Sequence, residues 1–513
     1  LSRRESLTLA LLAALSLVLR IVALLRYRFD SDEQQHLHVA WGWTAGLVPY
    51  RDYFDNHTPL FHLVTAPVLA LFGERPDILL WMRLPMLVLF GVVVCGTFVL
   101  GRRLYDARVG AWAAVLLSLF PPFFLKSLEY RTDNLWNALW VAALLVITGG
   151  ALTRGRGFLL GLVLGCALAT SMKTVLLVAT LGGAALVTDF FVTRKRRYGF
   201  VLPALAGFLV VPAALAAFFV AAGAWDRLYY CVFEFNSHVA LTRQNVWIGR
   251  VLFPFALAGV LYAAWRWRTR AEPRRFFFAV ACAIFVVTLG GFWILISSRD
   301  FLPLMPLLMI FGAAWLLRRG DPLVVLATVA VIFVASLWYY ADRFENNTDW
   351  HTTMMAQALR LSHPGEPLMD IKGETIYRPR PTYLIYEAIT RAQIAKGLLP
   401  DTAPEDLVRT QTHVAQADGP MLPPRVRGFL SSNFLDMGRL RASGQWLQED
   451  GGFTIAIPGE YVIVSEHGVA GAARAYAAGA YRFIGGKGEK LAVVWAPAVR
   501  RGHSPFHLRD REF

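Results

Sequence analysis

The chain has 513 residues, of which 56% are hydrophobic and only 17% charged. A water-soluble domain carries roughly 25% charge, so the composition argues against a soluble protein and for lipid as part of its solvent. The net charge of +15 does not mark a nucleic-acid binder: residues 342–513 hold 20 Lys and Arg against 19 Asp and Glu, and the surplus sits in a few short loops of the apolar part.

The chain opens at Leu1-Ser2-Arg3-Arg4 without an initiator Met, which predicts a start inside a longer product. Residues 7–26 form an apolar run too long for a signal-peptide core and without a small-residue cleavage site after it, so they predict a first membrane span. Residues 27–78 follow as a long outer loop holding two short helices, 33–46 and 58–72, that lie along the interface. Between them, Leu47 to Asp52 has the Pro and Asp of a break. Further apolar runs at 79–101, 109–124, 133–149, 157–171, 174–192, 199–222, 247–265, 276–297, 301–317 and 322–341 bring the expected spans to eleven.

Basic clusters test this count. Arg3-Arg4, Arg102-Arg103-Arg108, Arg154-Arg156, Arg194-Lys195-Arg196-Arg197, Arg266 to Arg275 and Arg318-Arg319 all fall on one side when the spans number eleven, with 18 Lys and Arg against 5 acids. The positive-inside rule places that side, and the N-terminus, in the cytoplasm, and residues 27–78, 125–132, 223–246 and 342–513 outside.

After residue 341 the texture changes. Residues 350–361, 383–397 and 401–410 have helical periodicity, Leu368 to Ile376 reads as a strand, and from Phe453 onward short alternating runs (453–457, 461–465, 491–495) predict a small sheet. The expected architecture is a polytopic α-helical membrane module over 1–341 and an extracytoplasmic α/β, β-rich domain over 342–513. Cys95, Cys166, Cys231 and Cys282 are scattered, with no spacing for zinc or a disulfide framework.

The chemistry-bearing residues gather in the predicted outer segments. Asp30, Asp32, Glu33, His36, His38, Asp52, Asp55 and His57 crowd the first outer loop, and ionisable groups beside a span point to function. Against this stands a solvated loop with aromatic anchors. Glu129, Arg131 and Asp133 mark the outer end of the fourth span, where helix capping is the competing role for Asp133. Lys173 interrupts 157–192 at a tight outer hairpin, at headgroup depth, where snorkelling to ordinary lipid is the alternative. Arg299-Asp300 and Arg243 fall in outer loops as well. His36 and His38, two apart on a helix, do not face each other and suit a polar face better than a ligand pair.

Four of these motifs resemble, in order, those of the large-loop glycosyltransferases with the C-type fold. Asp32-Glu33 is similar to the family's Asp-Glu pair. Pro49-Tyr50-Arg51-Asp52 through His57-Thr58-Pro59-Leu60 resembles its Pro-Tyr, acidic residue, His-x-Pro-Leu pattern. Glu129-Tyr130-Arg131-Thr132-Asp133 looks like its Arg-x-Asp at a helix start, and Arg299 with Leu302-Pro303-Leu304-Met305-Pro306-Leu307 like its late Arg-x-x-Leu-Pro-x-x-Pro. The resemblance covers residues 1–341 and is looser beyond; Asp30 has no family counterpart. The named relatives are the protein O-mannosyltransferases and the bacterial aminoarabinose and galacturonic-acid transferases.

The resemblance implies sugar transfer from a polyprenyl-phosphate donor to a glycan, lipid or protein acceptor, with inversion, in a bacterial inner membrane. It implies Asp32, Glu33 and Asp133 at the catalytic centre, with Asp32 as base. Lys173, Arg131, Arg243 and Arg299 would meet the phosphate, and Tyr50, Asp52, His57 and Glu129 would contribute to substrate binding. No cofactor is required; a divalent metal is compatible with the site, though Lys and Arg suffice for a single phosphate. Rival readings are a glycan polymerase or ligase using diphosphate-linked lipid, and a transporter, which would place charges at the bilayer midplane.

Overall fold

The structure is a computed structural model describing residues 1–193, 198–242, 247–269, 272–319, 321–416, 421–485 and 489–508. Arg194-Lys195-Arg196-Arg197, one of the basic clusters, lies outside the described residues. The chain divides into two compact units. The first comprises Leu1–Arg28, Asn56–Val64 and Met82–Asn346; the second comprises Phe29–Asp55, Thr65–Trp81 and Asn347–Phe513.

Every apolar run that predicts a span is helical, but the count of eleven is not confirmed. Among the described residues, seven helices are long and apolar enough to cross a bilayer: Arg3–Arg26, Ile78–Leu104, Thr174–Thr193, Val201–Ala221, Ile248–Trp267, Pro273–Phe292 and Pro322–Tyr340. The other four, Ala107–Leu119, Thr132–Thr148, Arg154–Thr170 and Met305–Leu316, have 13, 17, 17 and 12 residues. At a rise of about 1.5 Å per residue the helices of 12 and 13 residues fall well short of a hydrocarbon core of about 30 Å, while the two of 17 residues sit at the lower limit for crossing it. Their ends are set by side chains that an apolar window overlooks. Asp106 caps the first by accepting from the Val109 N–H at 2.9 Å, and Pro121 opens a separate short helix, Pro121–Lys126, after Leu119. Thr153 caps the third. The chain is a multi-pass membrane protein.

Within the first unit, helices meet where glycines remove the side chain. Gly157, Gly161 and Gly165 recur every fourth residue along Arg154–Thr170, and a Cβ at each would overlap Phe200, Ala204 and Phe208 backbone atoms of Val201–Ala221 or the turn before it. This small-xxx-small stripe brings two backbones into direct contact, which dispersion rewards in lipid where burial does not. Buried indoles have their N–H groups met: Trp136 Nε1 donates to Thr174 Oγ1 and Trp140 Nε1 to the Pro303 carbonyl, both at 3.0 Å. Arg20, buried within the first span, donates to the Phe124 carbonyl and Ser127 Oγ at 2.8 Å and to the Ser127 carbonyl at 2.6 Å.

In the second unit, the outer-loop helices are Ser31–Thr44 and the later part of Leu60–Phe72. The remainder of that unit is built on short strands: β1 Leu368–Met369, β2 Val414–Gln416, β3 Phe434–Asp436, β4 Leu440–Trp446, β5 Gly452–Ile455, β6 Gly459–Ser465, β7 Gly468–Val469, β8 Arg474–Tyr476, β9 Gly479–Arg482 and β10 Ala492–Trp495. Eight of them form one sheet in the order β1-β2-β4-β10-β6-β7, with β3 added to β4 and β8 to β6, while β5 and β9 pair separately. All pairings are antiparallel except β1 with β2. β10 is buried along its whole length between β4 and β6, which fits its run Ala-Val-Val-Trp. The strand expected over Leu368 to Ile376 stops after Met369, because Gly373 at φ +102° turns the chain.

A side chain added at Gly161 would have to displace a backbone. Gly161→Leu should therefore destabilise the protein by about 1–3 kcal/mol or more through overpacking. Gly182→Leu, where a Cβ meets nothing within 4 Å, should change little. Thermal unfolding of the two variants in the same detergent checks the difference.

Candidate active site

In the first unit the sequence brings charges from three segments into one network. The helix Thr132–Thr148 begins after Arg131, whose extended backbone occupies the N-cap without a side-chain cap. Asp133 thus lies in the first turn rather than at the cap, where the helix dipole favours its carboxylate. Its Oδ1 accepts from Lys173 Nζ at 3.0 Å, and its Oδ2 lies 3.4 Å from Arg131 Nε. Lys173, at the hairpin turn before Thr174–Thr188, also sits 2.5 Å from Asp300 Oδ1. Asp300 Oδ2 in turn accepts from the Ser297 N–H at 2.6 Å, fixing the turn Ser298–Phe301. Glu129 receives Lys126 at 2.7 Å and Arg299 at 2.8 Å.

The three carboxylates are buried, at 1% exposure for Glu129, 4% for Asp133 and 1% for Asp300. Buried charges are tolerated only when paired, and each of these has a cation. The Lys173 ammonium is disfavoured by burial, but Asp133 and Asp300 more than offset this and hold its pKa above that of an ordinary lysine. It stays cationic, with its charge 5.6 Å from the Trp136 ring centre and 5.8 Å from that of Trp293. A constitutive cation fixed by two carboxylates is a suitable counter-charge for a phosphate oxygen.

In the second unit, Asp32 and Glu33 open the helix Ser31–Thr44. Asp30 is its N-cap: Asp30 Oδ1 accepts from the Asp32 N–H at 3.2 Å, and Glu33 Oε1 accepts from the Asp30 N–H at 2.9 Å. This capping box gives Asp30 a role that the family motif lacks, and it engages Glu33. Asp32 forms an ion pair with Lys372. The Asp32 side chain is 32% exposed, whereas that of Lys372 is 7% exposed.

Lys372 is carried by a segment that locks itself. Asp370 Oδ1 accepts from the Gly373 N–H at 2.8 Å and Arg380 Nε at 2.7 Å; its Oδ2 accepts from the Thr375 N–H at 3.0 Å and Thr375 Oγ1 at 2.8 Å. Burial works to raise the Asp370 pKa, but Arg380, His38 and these N–H donors hold it below the usual carboxylate value. Glu374 accepts from the Lys372 backbone N–H at 2.7 Å. Its carboxyl is pushed up to about 7 by burial and by the Asp370 charge. His38 Nδ1 lies 2.8 Å from the Ile376 carbonyl and its ring stacks on Trp41. His38 therefore holds this segment, and burial lowers its pKa.

The remaining predicted residues are placed as follows. Tyr50 is buried at φ +66°, a left-handed conformation costly for a non-glycine residue, and its carbonyl accepts from the Tyr383 hydroxyl. Asp52 accepts from Arg51 Nε at 2.8 Å and the Val48 N–H at 2.7 Å, so it shapes the exposed turn. His57 is half-buried and meets the His62 ring edge-on at 6.3 Å. Arg243 lies outside the described residues. Lys126, Lys372, Asp370 and Glu374 were not anticipated, and Arg380, whose type suits a glycan-facing surface, instead pairs with Asp370. The readable signal for Asp370, Lys372 and Glu374 was Asp-x-Lys-Gly-Glu, whose glycine between charges marks a turn. Among the described residues no group of three or more His, Cys, Asp or Glu side chains has an arrangement that would hold a metal ion.

Residues 56–222 match the sequence model of the dolichyl-phosphate-mannose-protein mannosyltransferase family. The matched stretch contains His57, Glu129, Arg131, Asp133 and Lys173. Among solved structures the chain is similar to ArnT from Cupriavidus metallidurans bound to undecaprenyl phosphate, with 14% identity, 84% of this chain and 97% of that chain covered, and a TM-score of 0.57. The fold is that of the C-type glycosyltransferases. The apo state of the same ArnT gives 16% identity, 85% and 97% coverage and a TM-score of 0.57. The Archaeoglobus fulgidus oligosaccharyltransferase in the apo form gives 12%, 92% and 74%, with a TM-score of 0.48. No curated protein matches the chain by sequence. In this C-type chain Glu129, Asp133 and Lys173 belong to the family-matched stretch, while Arg299, Asp300, Asp32 and Lys372 lie outside it.

Glu374 supplies a pH test of the second unit. Its folded pKa of about 7 stands above the ordinary 4.5, so the protonated form favours the fold at low pH, and that advantage is lost as pH rises through the interval between the two values. Glu374→Gln removes the titration. The stability of the variant relative to the parent, read by chemical unfolding, should rise from pH 4.5 to pH 7 and then level off.

Proposed function

We propose that this protein is an inverting glycosyltransferase that moves a single sugar from a polyprenyl-phosphate carrier to an acceptor hydroxyl on a glycan, lipid or protein. The observation that carries this reading is the buried network around Lys173 and Asp133, both of which lie in the stretch that matches the mannosyltransferase family, with Asp300 joining from outside it. Support for the carrier comes from ArnT, which shares the fold and was solved with undecaprenyl phosphate.

The reaction is a displacement at the anomeric carbon. A bond forms from the acceptor oxygen to that carbon as the bond from the carbon to the phosphate oxygen breaks. The acceptor proton passes to the Asp32 carboxylate. The electron pair of the broken bond leaves on the phosphate, which remains esterified to its lipid. A hydroxyl is a poor nucleophile until it loses its proton, and a positioned carboxylate contributes typically about 10²- to 10⁴-fold. Lys173, Arg131 and Arg299 would meet the charge gathering on the phosphate, with Arg243 as a further cation. Attack opposite the leaving phosphate inverts the anomeric centre. Glu129 and Asp133 keep the cations fixed, so little reorganisation is needed as charge develops. No metal is needed for one phosphate when lysine and arginine are supplied. In this reading the N-terminus is cytoplasmic, and residues 27–57 and the C-terminal domain face the outside of a bacterial inner membrane, following the bias of basic loops.

Purified protein in lipid nanodiscs should consume a polyprenyl-phosphate sugar only when acceptor is present. Asp32→Asn should cut turnover by about 10²- to 10⁴-fold in protein that is still folded, at some cost in unfolding midpoint because the buried Lys372 ammonium loses its carboxylate; full activity of that variant would remove Asp32 as base. Consumption of diphosphate-linked glycan in place of the monophosphate donor would identify a polymerase or ligase instead. Activity should survive EDTA, measured as donor lipid consumed before and after chelation; a loss restored by a divalent cation would contradict the metal-free chemistry.

A further inference from the structure

We propose that Lys372 is a positioning residue for the Asp32 carboxylate, which makes the C-terminal domain a working part of the transfer chemistry. This rests on the reading of Asp32 as the base.

The geometry is one-sided. The ion pair joins a side chain that is 32% exposed, Asp32, to one that is 7% exposed, Lys372. The carboxylate can be approached by a hydroxyl, whereas its partner holds it from the protein side. A base on the first turn of a helix has free rotation about two side-chain bonds; a fixed ammonium restricts it to the orientation that faces solvent. Positioning matters steeply here, since misplacement of a reacting group by about 1 Å costs on the order of 10²-fold.

The ammonium is itself well fixed. Lys372 is bracketed by Asp370, which gathers Gly373, Thr375 and Arg380, and by Glu374, which takes the Lys372 N–H. The same segment is fastened to the outer loop twice more. His38 Nδ1 meets the Ile376 carbonyl at 2.8 Å, and Arg378 Nη1 donates to Glu74 Oε1 and Oε2 at 3.0 Å. Gly373 at φ +102° packs on His38, where a Cβ would come within 2.8 Å of the ring-bearing carbon. Ile376 is held at φ +48°, an unfavourable conformation for a β-branched residue. Backbone strain of this kind persists where surrounding contacts over-determine the loop, and it clusters at functional sites.

Stability alone gives no reason for the pair. A buried ammonium is expensive to desolvate, and a buried ion pair is often no better than an apolar contact of the same volume. The Lys372 ammonium pairs with the Asp32 carboxylate while the nearby Glu374 carboxyl also feels its charge, so the segment aims its cation at Asp32.

The test uses the full chain in nanodiscs with a polyprenyl-phosphate sugar and acceptor. Lys372→Met should lower kcat by about 10- to 100-fold, with the KM for donor within two-fold of the parent and the unfolding midpoint unchanged. Lys372→Arg, which can still reach a carboxylate, should recover most of the lost kcat. If Lys372→Met does not fold, Lys372→Gln, which keeps the polar chain without the charge, is read by the same criteria. Wild-type kcat in either uncharged variant, or a loss that Arg does not restore, overturns the proposal. Asp32→Asn separates the two layers. If it is inactive while Lys372→Met is fully active, only the positioning role falls; if it is active, the base assignment falls and the positioning role with it.

Discussion

The structure depends on how an apolar helical bundle accommodates charge. A carboxylate away from water costs several kcal/mol unless a cation meets it, and in the first unit Glu129, Asp133 and Asp300 are each met at 2.5–3.0 Å by a lysine or an arginine. These contacts tie the start of Thr132–Thr148 to the hairpin at Lys173 and to the turn at Arg299-Asp300. The partners come from distant parts of the chain, so the network also fixes which helix ends are neighbours. Charges held this way are already oriented before any ligand arrives, which is the condition for electrostatic stabilisation of a transition state.

Much of the helical architecture was legible because apolar runs and punctuation by charge are strong local signals. The count of eleven spans stands unconfirmed. A hydropathy window extends through Leu119 to 124, but Pro121 starts a new helix and Asp106 fixes the beginning, so the continuous element has 13 residues. Nor does apolarity report packing: the Gly157, Gly161, Gly165 stripe has the spacing of a close helix contact, yet its partner, Val201–Ala221, follows only from the folded structure.

The candidate site divides in the same way. Asp133 and Lys173 stood out because each interrupts or borders an apolar run, and their mutual contact explains why both are tolerated there. Glu33 stood out by family motif, but Asp30-x-x-Glu33 is also the spacing of a capping box, and the structure shows that bond pattern. Lys372 gave no such signal. It lies in a stretch whose charged and apolar residues alternate as in a strand, and only the glycine beside it announces a turn. Its significance is a tertiary fact, set by Asp32 340 residues away.

The contrast between the two charge groups bears on mechanism. Lys173 is locked by two buried carboxylates and keeps its charge, which under the proposed function suits a counter-ion to phosphate. Asp32 has a buried partner and a partly exposed carboxylate, which under the proposed function suits a group that takes up a proton and releases it. A leaving phosphate needs a constant charge and an attacking hydroxyl needs a changing one. Low dielectric serves the first and solvent access serves the second, so a single environment would suit neither group as well as the separate ones they occupy.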